Sequence, residues 1–151
     1  MNGKNCLFCR LIAADSDRIV AQNKHAFVIE DAFPVTELHC LVIPKRHVES
    51  YFDLQDEEIL AIHHLLEARR ETIESESQEP VDFNVGVNCG RLAGQTVFHC
   101  HVHLFPRRHG DIANPEGGVR NVVPGKGPYQ KPENTGDSLT EKLQTNSIRN
   151  D

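Results

Sequence analysis

The hydrophobic and polar positions divide the first part of the chain into a short helix and three β-type runs. Apolar residues cluster at 7–12, which predicts a short helix near the amino terminus. Two β-prone runs follow at 18–21 and 26–30, and a nearly continuous apolar run at 39–43 stops at Pro44. A run with almost no polar position is typical of a buried central strand.

One long helical run comes next. Asp53 is predicted to cap this helix, with Asp56 and Glu57 in the first turn, where negative charge suits the helix dipole. Apolar residues then recur at spacings of three, four and seven, which predicts one buried stripe made of Ile59, Ile62, Leu66 and Ile73. The helix is expected to end within residues 75–80.

Two more strands complete the pattern. Residues 81–88 alternate between apolar and polar with a period of two, and a strand from Val97 to Phe105 is predicted to end at Pro106. The order of elements contains no strand–helix–strand alternation. It therefore predicts an α+β fold: an antiparallel sheet of about five strands with one long helix and a short amino-terminal helix.

The length of 151 residues corresponds to one domain. We expect residues 1–110 to form the domain. Residues 111–151 are expected to be an extension, partly loop, packed on the same domain, with a short helix across Leu139 and Leu143.

Charge is distributed unevenly along the chain. The 16 basic and 22 acidic residues give a net charge of −6, yet the acids concentrate in the predicted long helix and the bases in residues 91–131. This basic half is either an ordinary charged surface or a site for a small anion, because the local field attracts a ligand more than the net charge does. Overall acidity argues against nucleic acid as a partner.

Cysteine usage and hydropathy point to a cytoplasmic protein. No apolar run approaches the roughly 20 residues of a membrane helix, so no membrane partner is expected. The amino terminus lacks the apolar stretch of a secretory signal, and the cysteine count of five is odd. Reduced thiols are therefore expected.

The strongest chemical signal is the alternation of His99, His101 and His103. On a strand, residues two apart share a face and lie about 6.6–7 Å from each other. The residues interleaved with them would face the apolar core: Cys100, Val102 and Leu104.

Two chemistries fit such a row of imidazoles. In one, the histidines bind a metal ion that activates water. In the other, one imidazole attacks phosphorus while its neighbours hold the anion, since a free imidazole with a pKa of about 6.5 is largely neutral at pH 7.

The segment from Gly94 to Pro106 resembles the His-x-His-x-His signature of the histidine triad (HIT) family of nucleotide hydrolases and transferases. Further similarities occur in order over about residues 6–106, at 6–9, 27–31, 39–47 and Asn88. The chain keeps His103, where a sugar-phosphate transferase branch of the superfamily has Gln. That residue favours hydrolysis over transfer.

The resemblance implies an active-site set. His101 matches the nucleophile that forms a covalent nucleotidyl-histidine, His103 a phosphate-binding histidine that assists the leaving group, and His39 another active-site histidine. The implied substrate-binding residues are Asp31 for the ribose hydroxyls, and Asn88, Gln95 and Thr96 for the phosphates.

The resemblance also implies a structural zinc site. Some bacterial members hold zinc with residues that match Cys6, Cys9, His47 and His99 of this chain. The catalytic step itself calls for no metal, and magnesium would enter only with a polyphosphate substrate.

The expected function is therefore hydrolysis at the α-phosphate of dinucleoside polyphosphates or of nucleoside phosphoramidates such as adenosine phosphoramidate. The segment after Pro106 resembles a microbial branch labelled diadenosine-tetraphosphate hydrolase-like. Family members commonly form homodimers through the long helix and an edge strand. Two alternatives remain: a nucleotide-binding regulatory protein with little turnover, and a metalloenzyme that uses the three histidines as ligands.

Overall fold

The computed structural model describes residues 5–129. Its helices and strands, in chain order, are α1 (Leu7–Ala13), β1 (Ile19–Gln22), β2 (Ala26–Glu30), β3 (Cys40–Pro44), α2 (Asp56–Glu76), β4 (Asp82–Val87) and β5 (Val102–Arg107). The helix predicted across Leu139 and Leu143 lies outside the described residues.

Two compact units divide the chain between Pro115 and Glu116. The first contains both helices and all five strands, and the second includes a 3-10 turn at Gly118–Val122. That residues 111–151 pack on the domain stays a prediction.

The five strands form one antiparallel sheet in the order β1-β2-β3-β5-β4. This arrangement confirms the predicted α+β class and the strand number. The register pairs Leu41 of β3 with His103 of β5, and His103 in turn with Gly86 of β4. Strands β1 and β4 are the two edges. Within residues 5–129, no helix has the length and apolar character required to cross a bilayer.

The sheet is covered on both faces, which explains the continuous apolar runs of β2 and β3. Alternate strand residues such as Val28 and Val42 pack with residues of α2 into one buried cluster. Their neighbours Ile29 and Ile43 pack with Phe8 of α1 into a second cluster on the other face. Because Leu41 pairs with His103 and belongs to the second cluster, His103 projects from the face that α1 covers.

The start of α2 differs from the sequence-based expectation. Asp53 lies in a separate 3-10 turn, and the residue that caps α2 is Gln55. The carboxylate of Glu58 accepts a hydrogen bond from the Gln55 backbone N–H (2.9 Å) and also binds Arg46. Gln55 and Glu58 form a capping box, in which the Glu58 side chain pairs the Gln55 backbone N–H at the start of the helix.

The buried stripe of α2 is also rotated from the prediction. Ile62 and Ile73 are buried as expected, but Ile59 is 36% exposed, and the residues buried beside Ile62 are Ala61 and Leu65. At 100° per residue, Ile59 lies about 60° around the helix from Ile62, which places it at the side of the stripe. There it lines a groove between α2 and the edge strand β4.

Candidate active site and metal site

The strand that carries the histidine motif is shorter than predicted. Strand β5 begins at Val102, so the expected strand from Val97 to Phe105 is wrong at its start, and His103 is the one motif histidine on a strand. Just before it, the Cys100 N–H donates to the carbonyl of Val48 (2.6 Å). The segment before Val102 therefore leaves the ladder that joins β5 to β3.

The predicted end of this strand is wrong as well, because Pro106 lies inside β5, which continues to Arg107. The pairing with β3 stops at Leu104, so at Pro106 the strand has β4 as its only neighbour. A proline, which lacks an N–H donor, can be accommodated there because the pairing with β3 has already ended. The interleaved residues do face the core, as predicted: Cys100, Val102 and Leu104 are all buried.

The hydrogen bond of His101 fixes which ring nitrogen is available for chemistry. Nδ1 of His101 lies 2.7 Å from the backbone carbonyl oxygen of His99. A carbonyl only accepts, so Nδ1 carries the proton, and the neutral ring has its lone pair on Nε2. The side chain is 7% exposed, which leaves it close to solvent but packed on most sides.

His39 and His103 form a hydrogen-bonded pair beside His101. The Val35 N–H donates to Nδ1 of His39 (3.5 Å), so the proton of the neutral ring sits on Nε2, which donates to Nδ1 of His103 (3.0 Å). The proton of His103 is then on its own Nε2, a buried atom with no hydrogen-bond partner among the described residues. The ring centroids of His101 and His103 are 5.1 Å apart. A buried donor without a partner, next to a ring with a free lone pair, is suited to bind an anionic oxygen.

Burial keeps both rings of this pair neutral at pH 7. It lowers the pKa of His39, against the opposite effect of the Asp31 carboxylate 3.6 Å from Nδ1. Burial, followed by the nearby His101 and His39, lowers the pKa of His103 to about 4. The site therefore presents a neutral donor to the ligand instead of a fixed positive charge.

The structure brings Asp31 to the same place. One carboxylate oxygen accepts a hydrogen bond from the Phe33 N–H (2.8 Å), and the other faces His39. The carboxyl group is 17% exposed, so it remains accessible. Its side chain, His39 and His103 offer ligand atoms within 4.8 Å of one another.

The three residues expected to bind phosphate occupy different surroundings. Asn88 is half-buried directly after β4, and Thr96 is exposed. Gln95 is buried, and its amide accepts from the Gly90 N–H and donates to the carbonyl of Glu49, both at 2.8 Å. Gln95 therefore holds the loop at 90–95 in place through its side chain. The phosphate roles of all three residues stay predictions.

The four residues expected to bind zinc do converge. Their ligand atoms all lie within 4.8 Å of one another: those of Cys6, Cys9, His47 and His99. Individual sulfur-to-nitrogen distances are 3.4 Å (Cys6 to His99), 3.3 Å (Cys9 to His47) and 3.6 Å (Cys9 to His99). Tetrahedral zinc, with bonds of about 2.3 Å to sulfur and about 2.0 Å to nitrogen, places such atoms about 3.5 Å apart, so the residues fit the ion.

The surroundings of this cluster also suit a metal. Nε2 of His99 donates to the carbonyl of Pro44 (2.8 Å), which directs the unprotonated Nδ1 toward the thiols. Burial lowers the pKa of His99 to about 4, and burial together with Cys6 raises the pKa of the Cys9 thiol to about 11. Metal binding must displace that thiol proton, so affinity should fall as the pH is lowered.

Neither metal-type group within residues 5–129 joins His99, His101 and His103. The motif is divided instead, with His99 in the cysteine cluster and the other two beside His39.

Several contributors to the site were not identified from the sequence. The Phe8 ring packs edge-on against both His99 and His101, and the carbonyl of Pro44 orients His99. Leu38, directly before His39, adopts a left-handed backbone conformation with a φ of 63°. The one sequence signal for Phe8 is its position between two predicted metal ligands. The acceptor role of a backbone carbonyl and the φ angle of Leu38 cannot be recognised from the sequence alone.

Comparison with known proteins identifies a matching family. A family model described as HIT domain matches residues 14–110. An uncharacterized 16.1 kDa HIT-like protein of Mycoplasma pneumoniae is 39% identical over 108 residues, which cover 71% of this chain and 74% of that protein.

Solved structures with the same fold include a zinc-bound protein and named hydrolases. A zinc-bound histidine triad family protein from Mycobacterium smegmatis has a TM-score of 0.67 at 29% identity, over 75% of this chain and 82% of its own. A HIT family hydrolase from Clostridium thermocellum has a TM-score of 0.61 at 28% identity, covering 71% and 94%. The diadenosine triphosphate hydrolase of Plasmodium falciparum has a TM-score of 0.59 at 28% identity, covering 64% and 65%.

Proposed function

Because this chain belongs to the HIT family, we propose that it is a nucleotide-phosphate hydrolase that works through a covalent nucleotidyl intermediate on His101. The observation that carries the proposal is the hydrogen bond from His101 Nδ1 to the His99 carbonyl, since it leaves a lone pair on Nε2. The named hydrolases among the related structures support the reaction class, and the Plasmodium neighbour supports dinucleoside polyphosphates as substrates.

In the first step, His101 Nε2 attacks the α-phosphorus, and the bond from phosphorus to the leaving group breaks. The substituted ring carries a positive charge, which the His99 carbonyl stabilises through the Nδ1–H. Water then attacks the same phosphorus, the bond to Nε2 breaks, and a proton is released with the nucleoside monophosphate. The neutral imidazole needs no separate base for the first attack.

His103 stabilises the negative charge that develops during both steps. Its buried Nε2–H has no partner among the described residues, and it lies on the ring next to the nucleophile. A phosphoryl oxygen would accept a hydrogen bond from this N–H and so satisfy the buried donor. His39 acts through His103, because its own Nε2–H keeps the proton of His103 on the side of the substrate.

The nucleoside is proposed to bind through Asp31. An ionised carboxylate accepts two hydrogen bonds from a ribose diol, and one oxygen of this group is held by the Phe33 N–H. Asn88 and Thr96 are proposed to bind phosphate oxygens, while the buried amide of Gln95 supports the loop that precedes Thr96. A panel of polyphosphate and phosphoramidate substrates discriminates between these two substrate classes.

We assign zinc a structural role. The four candidate ligands would fill a tetrahedral coordination shell and leave no open position for water or substrate. A bound ion would tie α1, which carries Cys9, to the segments after β3 and before β5.

A homodimer through α2 and β4 is proposed as the assembled form. Strand β4 is an edge of the sheet, and a groove of about 370 Å³ runs between it and α2. Apolar side chains on this face are exposed, including Leu60 (56%) and Val85 (46%). Pairing with a second copy would cover both the apolar groove and the free strand edge.

The decisive experiment is to trap the intermediate. The protein is mixed with α-³²P-labelled diadenosine triphosphate, diadenosine tetraphosphate or an adenosine phosphoramidate and quenched within one turnover. Radioactivity should remain on the protein, disappear in His101→Ala, and persist in His64→Ala, an exposed histidine of α2. The relative rates of product formation identify the preferred leaving group. Tight nucleotide binding without label transfer or product would instead indicate a regulatory binding protein.

A further inference from the structure

Phe8 joins the candidate metal site to the nucleophile. It lies between Cys6 and Cys9 in the sequence, at the start of α1, and is 3% exposed. Its ring centroid is 5.8 Å from that of His99 and 5.3 Å from that of His101, with interplanar angles of 75° and 67°. These are edge-to-face contacts, in which a displacement of the phenyl ring changes the packing of both imidazoles.

His99 provides a second connection between the two sites. Its Nδ1 lies 3.4 Å from the Cys6 sulfur and 3.6 Å from the Cys9 sulfur. Its backbone carbonyl accepts the hydrogen bond that fixes the proton of His101. The same residue therefore contacts the thiols with its side chain and the nucleophile with its main chain.

A single hydrogen bond at Nδ1 sets the tautomer of His101 but does not by itself stop the ring from rocking about that bond. The χ2 torsion of histidine is broad, so further contacts are needed to aim Nε2. Phe8 supplies one of these contacts, and its position depends on the chain on either side of it. Cys6 lies two residues before Phe8 and Cys9 directly after it, and the sulfur atoms of both cysteines lie close to His99.

We propose that Phe8 is a positioning residue for His101, and that metal binding by the Cys6/Cys9/His47/His99 cluster holds Phe8 in place. The metal site then contributes to the rate of nucleotidyl transfer as well as to stability. This inference rests on the proposed function. A misplacement of about 1 Å in a reacting group can cost about 10²-fold in rate, so even a small movement of the phenyl ring should be measurable.

The test compares Phe8→Ala and Phe8→Leu with Leu11→Ala, which also removes apolar volume from the same helix. Leu11 packs against the same buried cluster as Phe8. For each purified protein we would measure zinc per chain, the melting temperature, KM, and the single-turnover rate of label transfer to His101. Phe8→Ala should retain zinc and a KM within about twofold of wild type, but transfer should slow by about tenfold or more. Phe8→Leu should recover part of the rate. Leu11→Ala should lower the melting temperature but keep the wild-type zinc content and transfer rate.

A second arm uses the wild-type protein after removal of zinc by a chelator, at a temperature where circular dichroism shows it still folded. The transfer rate should fall by about the same factor as in Phe8→Ala and should return when zinc is added. In ¹⁵N NMR spectra, zinc addition should sharpen the Nδ1–H signal of His101 in wild type but not in Phe8→Ala.

Wild-type rates in zinc-loaded Phe8→Ala, or in the folded zinc-free protein, would overturn the inference while leaving the proposed function intact. If Phe8→Ala does not fold, Phe8→Leu and the zinc-free protein still decide the question. If wild type forms no labelled intermediate, the proposed function fails, and the NMR response to zinc then tests the link between the metal and His101 alone.

Discussion

Nε2 of His39 donates a hydrogen bond to Nδ1 of His103 over 3.0 Å, so the proton of His103 is held on the opposite nitrogen. If His103 donates to the phosphoryl group as proposed, His103→Ala should lower kcat by about 10²–10³-fold. His39→Ala leaves the donor but removes its orientation, so we expect a smaller fall in kcat, about tenfold, with little change in KM. Steady-state kinetics on the preferred substrate of the trapping panel measure both effects.

His64→Ala is the control for these variants because it removes an exposed imidazole of α2. A variant that combines His39→Ala with His103→Ala adds a sharper test. If His39 acts through His103, His39→Ala should have little further effect once His103 is absent. Multiplicative losses in the double variant would contradict this dependence.

The fold class could be predicted from the sequence because it depends on short-range patterns. The alternation at 81–88 predicted a strand there, and the long helix needed only the spacing of its apolar residues. The convergence of Cys6 and Cys9 with His47 and His99 followed from the resemblance, and the distances agree with it.

The errors occur where tertiary contacts override local pattern. The strand expected from Val97 starts at Val102 because Cys100 finds its hydrogen-bond acceptor at Val48, a contact between segments far apart in the sequence. The cap of α2 moved from Asp53 to Gln55 because Glu58 is held by Arg46 from the segment after β3. Neither Val48 nor Arg46 can be recognised as a partner from the residues next to β5 or α2.

Metal removal should reduce stability. Cys9→Ser should lower the zinc content from about one ion per chain toward zero, because the oxygen of serine is a poorer ligand than a thiolate. We expect a fall in melting temperature of about 5 °C or more, since each kcal/mol corresponds to several degrees in a domain of this size. Plasma emission spectrometry and differential scanning fluorimetry provide the two readouts.

The control is Cys89→Ser, which changes a free cysteine outside the metal cluster. It should keep both zinc and the wild-type melting temperature. The metalloenzyme alternative makes a different prediction: a chelator would stop turnover completely, and zinc would be needed for any label transfer. Residual transfer in the folded zinc-free protein would exclude that alternative.

The pair of Glu58 and Arg46 should stabilise the protein in a pH-dependent way. The Glu58 carboxylate is 4% exposed and accepts two hydrogen bonds from Arg46, at 2.8 and 2.6 Å. The hydrogen bond to Arg46 lowers the pKa of Glu58 below its ordinary value of 4.5. Glu58→Gln should therefore lower the free energy of unfolding at pH 7 by about 1–3 kcal/mol, a modest value because Arg46 is partly exposed.

The sign of the pH effect follows from that lowered pKa. The native state binds the Glu58 proton more weakly than the unfolded state, so its contribution is complete well above pH 4.5 and decreases as the pH falls through the native pKa. Urea denaturation should show the difference between wild type and Glu58→Gln shrinking below pH 4.5. Glu57→Gln, an exposed change in the same helical turn, should show a much smaller effect. If the difference in unfolding free energy between wild type and Glu58→Gln did not change with pH, the loss of stability would be due to packing and not to the ion pair.

The proposed dimer face can be tested with two nearly equivalent valines. Val85 on the edge strand β4 is 46% exposed, and Val20 on the opposite edge strand β1 is 45% exposed. If a second copy covers α2 and β4, Val85→Asp buries an unpaired charge and should raise the dimer dissociation constant by about 100-fold or more. Val20→Asp should leave the dimer unchanged. Sedimentation equilibrium over a range of protein concentrations measures both constants, and equal weakening by the two variants would show that the interface does not lie at β4.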